Sequence, residues 1–177
     1  TMLEKTDKTL QNSALQGILE QENFMIKVLF ICHGNICRST MAEYVMKHLV
    51  KQSGIESDFF IDSAGTSNEE YGNPVHRGTQ KKLREEGIPC GNHRARKMRK
   101  EEYAAFDYII CMERYNIQNI MRIIGSDPEH KVQRLLDYTD RPGDIADPWY
   151  TGNFDETFDD VMEGCQAFLG YLMEHPQ

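Results

Sequence analysis

Residues 28–39 read VLFICHGNICRS and join an apolar segment to the start of a helix. Residues 28–31 are typical of a buried strand, and the residues after Ser39 place a set of apolar side chains on one helical face: Met41, Ala42, Val45, Met46 and Leu49. The five residues between Cys32 and Arg38 let the chain curl around a tetrahedral anion, with N–H groups pointing inward and the helix N-terminus behind them. The stretch therefore predicts a strand, an anion-binding loop and a helix.

The side chains of this loop favour chemistry on phosphate. A helix N-terminus stabilises a thiolate, so Cys32 is expected to be nucleophilic near neutral pH. Arg38 can donate two parallel hydrogen bonds to phosphoryl oxygens, and Ser39 can donate its hydroxyl to the Cys32 sulfur. Gly34 and Asn35 tolerate the backbone angles of a tight loop. A lone cysteine is more often an inert buried residue, but the whole octet indicates a phosphate site, and it lacks the Gly-Lys-Ser/Thr ending of a nucleotide-binding loop.

The octet resembles the phosphate loop of the low-molecular-weight protein tyrosine phosphatases, which carry Cys-x5-Arg-Ser between a strand and a helix. The similarity spans residues 25–173 and includes 62–66 (DSAGT), 93–96 (HRAR) and 147–150 (DPWY). Two residues depart from the family pattern: His33 replaces a residue that is often small or aliphatic, and Thr40 replaces the usual proline. His33 is expected at most to tune the pocket.

The resemblance implies the catalytic residues Cys32, Arg38 and Asp147. Cys32 would form a phosphocysteine, Arg38 would hold the phosphoryl oxygens, and Asp147, restricted by the proline that follows it, would protonate the departing phenolate. Asp144 competes on composition alone, but the aromatic pair after Pro148 favours Asp147. The implied phosphate-binding residues are His33, Gly34, Asn35, Ile36, Cys37, Arg38 and Ser39, and Trp149 and Tyr150 would form an aromatic wall. Ser39, Ser63 and His93 would support the loop from behind, Ser63 and His93 by bracing Asn35.

Three other functions share this resemblance. An arsenate reductase would need two further cysteines with six residues between them, but Gln118 stands where the second would follow Cys111. A phosphoarginine phosphatase is associated with a threonine at the position of Ile36, whose methyl groups favour an aromatic ring. A non-catalytic phosphotyrosine-binding module would have no need for both a nucleophile and an acid. Phosphotyrosine hydrolysis is therefore the preferred prediction.

Cys37 is either a small buried filler or a redox partner that could form a disulfide with Cys32.

The composition of the 177-residue chain favours a single globular domain. The mechanism that the resemblance implies needs no cofactor or metal. Five unevenly spaced cysteines argue against a disulfide framework, and the histidines show no paired ligand spacing with them. No apolar run reaches the roughly 18 residues of a membrane helix. A net charge of -8 disfavours nucleic-acid binding. We expect a cytoplasmic enzyme, a monomer or weak homodimer, whose partners are phosphotyrosyl proteins or small aryl phosphates rather than nucleic acid or membrane.

Alternating strands and helices predict an α/β fold of three layers, with a four-stranded parallel twisted sheet and helices on both faces. The predicted strands are 27–32, 59–63, 108–112 and 131–135. Asn73 and Pro74 predict the cap and first turn of a helix that ends near Gly87. Residues 25–177 would form the phosphatase domain. Residues 1–24 are expected to be a non-catalytic N-terminal extension, a leader or a tag remnant.

Overall fold

The computed structural model describes residues 25–176 of the chain. The predicted N-terminal extension, residues 1–24, lies outside the described residues. Across 25–176, no helix combines the length and apolar character needed to cross a membrane.

The sheet is parallel throughout and has four strands, as the sequence predicts. The strands are β1 (Ile26–Cys32), β2 (Phe59–Gly65), β3 (Tyr108–Cys111) and β4 (Val132–Arg134), in the order β2-β1-β3-β4. The last strand is shorter than predicted, because Leu135 begins a 3-10 helix that runs to Tyr138. The anion-binding loop therefore follows a central strand of the sheet.

Helices cover both faces of the sheet and complete the predicted three-layer fold. They are α1 (Arg38–Gln52), α2 (Arg77–Glu85), α3 (Glu102–Ala105), α4 (Arg114–Ile124), α5 (Pro148–Thr151) and α6 (Phe154–Glu174). Side chains along β1 point alternately to the two faces of the sheet, so they contribute to two separate hydrophobic cores. Val28 and Phe30 belong to the core that α1 and α6 cover, whereas Leu29 and Ile31 belong to the core that α4 covers.

The predicted start of α2 at Asn73 and Pro74 is wrong. The helix begins at Arg77, and His76 caps it by accepting a hydrogen bond from the Gly78 N–H through Nδ1 at 3.0 Å. Asn73 instead accepts a backbone hydrogen bond from Ala95, and Pro74 forms an isolated antiparallel bridge with Arg94. Pairing with a distant segment therefore overrides the local capping preference.

The carboxyl ends of β1 and β2 meet beside the anion-binding loop, the usual place for a ligand in an open parallel sheet. Cys32 lies opposite Gly65, and a Cβ added at Gly65 would stand 2.7 Å from the backbone oxygen of His33. Thr66 donates its N–H to the backbone oxygens of both Cys32 and His33, at 3.0 and 3.1 Å. A glycine at position 65 therefore lets the second strand support the loop at close range.

Two glycines of α6 give a matched test of core packing. A Cβ at Gly164 would stand 2.5 Å from Cγ of Leu135, whereas one at Gly170 meets nothing within 4 Å. We expect Gly164→Ala to lower the free energy of unfolding by about 1–3 kcal/mol through overpacking. The higher helix propensity of alanine should offset about 1 kcal/mol of this loss. Gly170→Ala should gain about 0.5–1 kcal/mol. Urea unfolding of the two variants checks this, and equal midpoints would contradict the packing described here.

Candidate active site

The anion-binding loop surrounds the sulfur of Cys32, which is buried at the end of β1. The Asn35 N–H lies 3.3 Å from Cys32 Sγ and donates to it. Asn35 has a φ of 61°, in the left-handed region that asparagine tolerates better than most residues. The loop then enters α1 at Arg38, so the sulfur faces the N-terminal end of a 15-residue helix.

Ser39 is placed to donate its hydroxyl to the sulfur. Its Oγ lies 3.0 Å from Cys32 Sγ and 2.9 Å from Asn35 Nδ2. Since the amide nitrogen can only donate, Ser39 accepts from Asn35 and keeps its own hydrogen for Cys32. The hydroxyl and the Asn35 N–H are thus two donors to one sulfur.

A buried hydrogen-bond network fixes the Asn35 side chain. Its Nδ2 donates to Ser63 Oγ at 3.0 Å, and its Oδ1 accepts from His93 Nε2 at 2.7 Å. Ser63 in turn donates to Glu43 Oε1 at 2.7 Å. The structure thus brings Ser63 and His93 together around Asn35, as the resemblance implies, and adds Glu43, which sequence reasoning missed. Glu43 lies one helical turn after Ser39 and so on the same side of α1, but its partner Ser63 belongs to β2, which no spacing within the helix reveals.

Two carboxylates and His93 form a cluster beneath this network. Ligand atoms of Glu43, Asp62 and His93 lie within 4.8 Å of one another. Lys47 Nζ lies 2.7 Å from Glu43, and an Arg96 amino group lies 2.9 Å from Asp62. Burial lowers the pKa of His93 against the opposing effect of the two carboxylates. The cluster is therefore neutralised by protein cations and braces the loop from below.

Arg38 is the charged group at the bottom of the site, with its residue only 1% exposed. Its Nη1 donates to Glu113 Oε2 at 2.7 Å and to the Ile145 carbonyl at 2.9 Å, and its Nη2 donates to Asp147 Oδ2 at 3.2 Å. Burial opposes the charge, but Cys32, Asp147 and Glu113 together raise the pKa of the guanidinium. Glu113 was also missed from the sequence, although it follows β3 at the edge where the loop lies.

Asp147 caps the short helix α5 and faces Arg38. Its Oδ1 accepts from the Trp149 N–H at 3.1 Å, while Oδ2 accepts from Arg38. Its competitor Asp144 accepts instead from the Arg114 N–H and from Arg134 Nη1, both at 2.9 Å. Asp144 therefore has a structural position outside the pocket, and Asp147 is the carboxylate that reaches it.

An aromatic edge borders the pocket, a cavity of about 120 Å³. Trp149 is 58% exposed rather than part of the core, and Tyr150 is more exposed still. The His76 ring contacts Trp149 edge-on at 5.7 Å between centroids and stacks on Phe154 at 5.2 Å. The backbone N–H of His76 also donates to the Ile36 carbonyl at 2.9 Å, so His76 links the loop to the aromatic edge.

The family profile described as low molecular weight phosphotyrosine protein phosphatase matches residues 27–177. The chain belongs to this family. It is 41% identical to the low molecular weight protein-tyrosine-phosphatase YfkJ of Bacillus subtilis over 86% of this chain and 99% of that protein. The crystal structure of YfkJ aligns with a TM-score of 0.83 over 86% of this chain and 98% of that one. A Drosophila arginine phosphatase aligns with a TM-score of 0.76 at 31% identity, over 82% and 97% of the two chains.

The two departures from the phosphatase family pattern have visible contacts. Thr40 donates its hydroxyl to the Cys37 carbonyl at 3.1 Å in the first turn of α1. His33 Nε2 lies 3.0 Å from Glu69 Oε2, and both residues line the pocket together with Glu70. His33 Nδ1 is buried and has no hydrogen-bond partner within residues 25–176. His33 thus ties the phosphate loop to a neighbouring loop whose carboxylates the sequence analysis did not identify.

Cys37 is a buried free thiol of the phosphate loop itself, next to Arg38, and it also lines the pocket. It packs with Ile36 and Ala95 in a small apolar cluster. Burial, together with the charges of Cys32 and Asp147, raises the pKa of the Cys37 thiol. Its surroundings are those of a packed residue, and its role as a redox partner of Cys32 stays a prediction.

Proposed function

We propose that this chain is a protein tyrosine phosphatase that hydrolyses phosphotyrosine through a phosphocysteine intermediate. The observation that carries the proposal is the meeting of Cys32, Arg38 and Asp147 in one pocket bordered by Trp149 and Tyr150. A nucleophile, a phosphate-binding cation and an acid are the parts that phosphoryl transfer requires. The names of the relatives YfkJ and PtpA, which both describe protein-tyrosine-phosphatases, support the same activity.

Binding would place the phosphoryl group between the loop amides and Arg38. Glu113 and the Ile145 carbonyl hold Nη1 of Arg38, so its Nε and Nη2 edge would face two phosphoryl oxygens in parallel. The preformed contacts limit the rearrangement needed as charge spreads over the equatorial oxygens. Glu113 is thus proposed to position the guanidinium.

In the first step the Cys32 thiolate would attack phosphorus in line with the tyrosine oxygen. The S–P bond forms, the P–O bond breaks, and Asp147 gives its proton to the departing phenolate. Asp147 lies 3.2 Å from Arg38, close to where the phosphate would bind, and its backbone is held by the cap to Trp149. A protonated leaving group matters because the phenol of tyrosine has a pKa of about 10.

In the second step Asp147, now a carboxylate, would take a proton from water as the water oxygen attacks phosphorus. The S–P bond breaks and inorganic phosphate leaves. Cys32 departs as a thiolate that receives hydrogen bonds from Ser39 and from the Asn35 N–H. The network through Ser63 and His93 is proposed to keep Asn35 in the conformation that this requires.

Phosphoarginine is the second candidate substrate, since a Drosophila arginine phosphatase is among the structural relatives. Ile36 lines the pocket, and its methyl groups would contact a phenyl ring better than a guanidinium, which needs hydrogen-bond partners. The exposed ring of Trp149 could add offset or edge contacts to the substrate ring, worth about 0.5–1.5 kcal/mol. Both features favour phosphotyrosine.

The test is phosphate release from matched phosphotyrosyl and phosphoarginyl peptides, in chelator and without added metal. We expect wild type to prefer phosphotyrosine, and Ile36→Thr to shift the ratio of kcat/KM values toward phosphoarginine by about tenfold, within the range for losing one apolar contact in a pocket. Faster cleavage of phosphoarginine by wild type would contradict the proposed substrate. Activity on neither peptide would contradict the proposed function.

A further inference from the structure

A second concave surface lies on the other side of the loop that carries Glu69 and Glu70. This cavity of about 800 Å³, the β2 groove, lies between edge strand β2 and residues 96–106. Its lining includes Phe60, Tyr71, Arg96, Lys97, Arg99 and Phe106. None of these six residues lines the catalytic pocket, and only Arg96 contacts the network that braces the phosphate loop.

Aromatic rings give the groove an apolar floor that is open to solvent. Phe60 is 48% exposed and Tyr71 is 73% exposed, and the Phe60 ring lies 6.0 Å from that of Phe106. Exposed aromatic residues in a concave surface are typical of protein-binding sites. The floor therefore suits an apolar side chain of a bound polypeptide.

The charge of the groove indicates which kind of polypeptide it binds. Residues 94–100 (RARKMRK) contain five cations and no acid in a chain of net charge -8. Arg96 pairs with Asp62 at 2.9 Å and with Glu102 at 2.8 Å, two carboxylates that also line the groove, so Arg96 adds no free positive charge. Lys97 and Arg99 are exposed, and within the part of the chain that the structure describes their side chains form no ion pair. These two free cations complement an acidic polypeptide.

The loop 67–73 connects the groove to the catalytic pocket. It presents Glu69 and Glu70 to the pocket and Tyr71 to the groove. Backbone hydrogen bonds between this loop and Ala95 hold the two surfaces side by side. A polypeptide whose phosphotyrosine occupies the pocket could therefore cross the loop into the groove. The two carboxylates disfavour acids directly beside the phosphotyrosine, so the acids would lie farther along the polypeptide.

We propose that the β2 groove docks an acidic segment of the phosphoprotein substrate, separated by a few residues from the phosphotyrosine. This inference rests on the proposed function. It makes Lys97 and Arg99 specificity-determining residues that act outside the catalytic centre.

The experiment compares phosphotyrosyl peptides that carry a block of Asp and Glu, on either side of the phosphotyrosine, with peptides that carry Asn and Gln instead. Wild type should favour one acidic peptide by about five- to tenfold in kcat/KM, the scale of two exposed ion pairs, and less at high salt. The double variant Lys97→Glu/Arg99→Glu should lose this preference but keep its activity on free phosphotyrosine. The control variant Lys51→Glu/Arg122→Glu makes the same charge change at exposed positions in the last turns of α1 and α4, and it should keep the preference.

Binding of the same peptides to Cys32→Ser separates docking from turnover. An acidic preference in binding to Cys32→Ser, together with no hydrolysis of the same peptides by wild type, would support the groove and contradict the proposed function. Equal affinity for acidic and amide peptides, or a preference that survives Lys97→Glu/Arg99→Glu, would overturn the groove while leaving the proposed function intact. Displacement of the acidic peptide by polyuridylate at equal phosphate and carboxylate concentration would also overturn it, because the surface would then bind anions in general.

Discussion

Replacing Cys32 by serine is expected to lower turnover of a phosphotyrosyl peptide by at least about a thousandfold, the scale seen when a covalent nucleophile is removed. A serine hydroxyl is not ionised at neutral pH, and an alkoxide would be a poorer leaving group than a thiolate in the second step. The small side chain should keep its contacts with Ser39 and the Asn35 N–H, so the folded structure should persist. Single-turnover phosphate release and thermal unfolding measure the two effects separately.

Cys90→Ser is the matched control, because Cys90 is an exposed free thiol outside the residues that line the pocket. It should retain wild-type turnover. Acid quenching of wild type during hydrolysis should trap one phosphoryl group on the peptide that contains Cys32, detected by mass spectrometry. Full activity of Cys32→Ser, or phosphate trapped on another residue, would refute the proposed nucleophile.

The sequence predicts those site residues whose functional neighbours lie within a few positions along the chain. Five residues separate Cys32 from Arg38, and Asp147 is followed directly by a proline and two aromatic residues. The strand before Cys32 and the helix after it fix where the loop lies, so the fold follows from the same residues. Local patterns therefore predict both the sheet and the reacting groups.

The residues that sequence reasoning missed are carboxylates whose role depends on distant contacts. Glu113 meets Arg38 across 75 positions, and Glu43 meets Ser63 across 20. In the sequence each looks like an ordinary charged residue of a helix, since burial of a carboxylate becomes visible only when its partner is known. The start of α2 fails for a related reason. Asn73 is a good cap by propensity, but its pairing with Ala95 belongs to the tertiary structure.

Arg38 and Asp147 share one contact that would join the proposed phosphate binding to the proposed proton transfer. Asp147 Oδ2 accepts from Arg38, while Oδ1 holds the first turn of α5. A substitution that removes both oxygens would alter the aromatic edge together with the acid. Asparagine keeps an oxygen for the Trp149 N–H, but it removes the transferable proton and replaces the oxygen that accepts from Arg38. Asp147→Asn therefore tests both roles of that oxygen while the cap of α5 is preserved.

Asp147→Asn is expected to lower kcat for a phosphotyrosyl peptide by about 10²–10⁴, the usual contribution of general acid catalysis. The loss on nitrophenyl phosphate should be much smaller, because nitrophenolate leaves readily without a proton. Asp144→Asn is the matched control: its carboxylate holds the Arg114 N–H and Arg134, so the variant should be less stable but should retain the chemistry. An equal loss on both substrates in Asp147→Asn would mean that Asp147 acts by holding Arg38 and not by protonating the leaving group. The ratio of the two losses therefore distinguishes an acid from a positioning residue at the same atom.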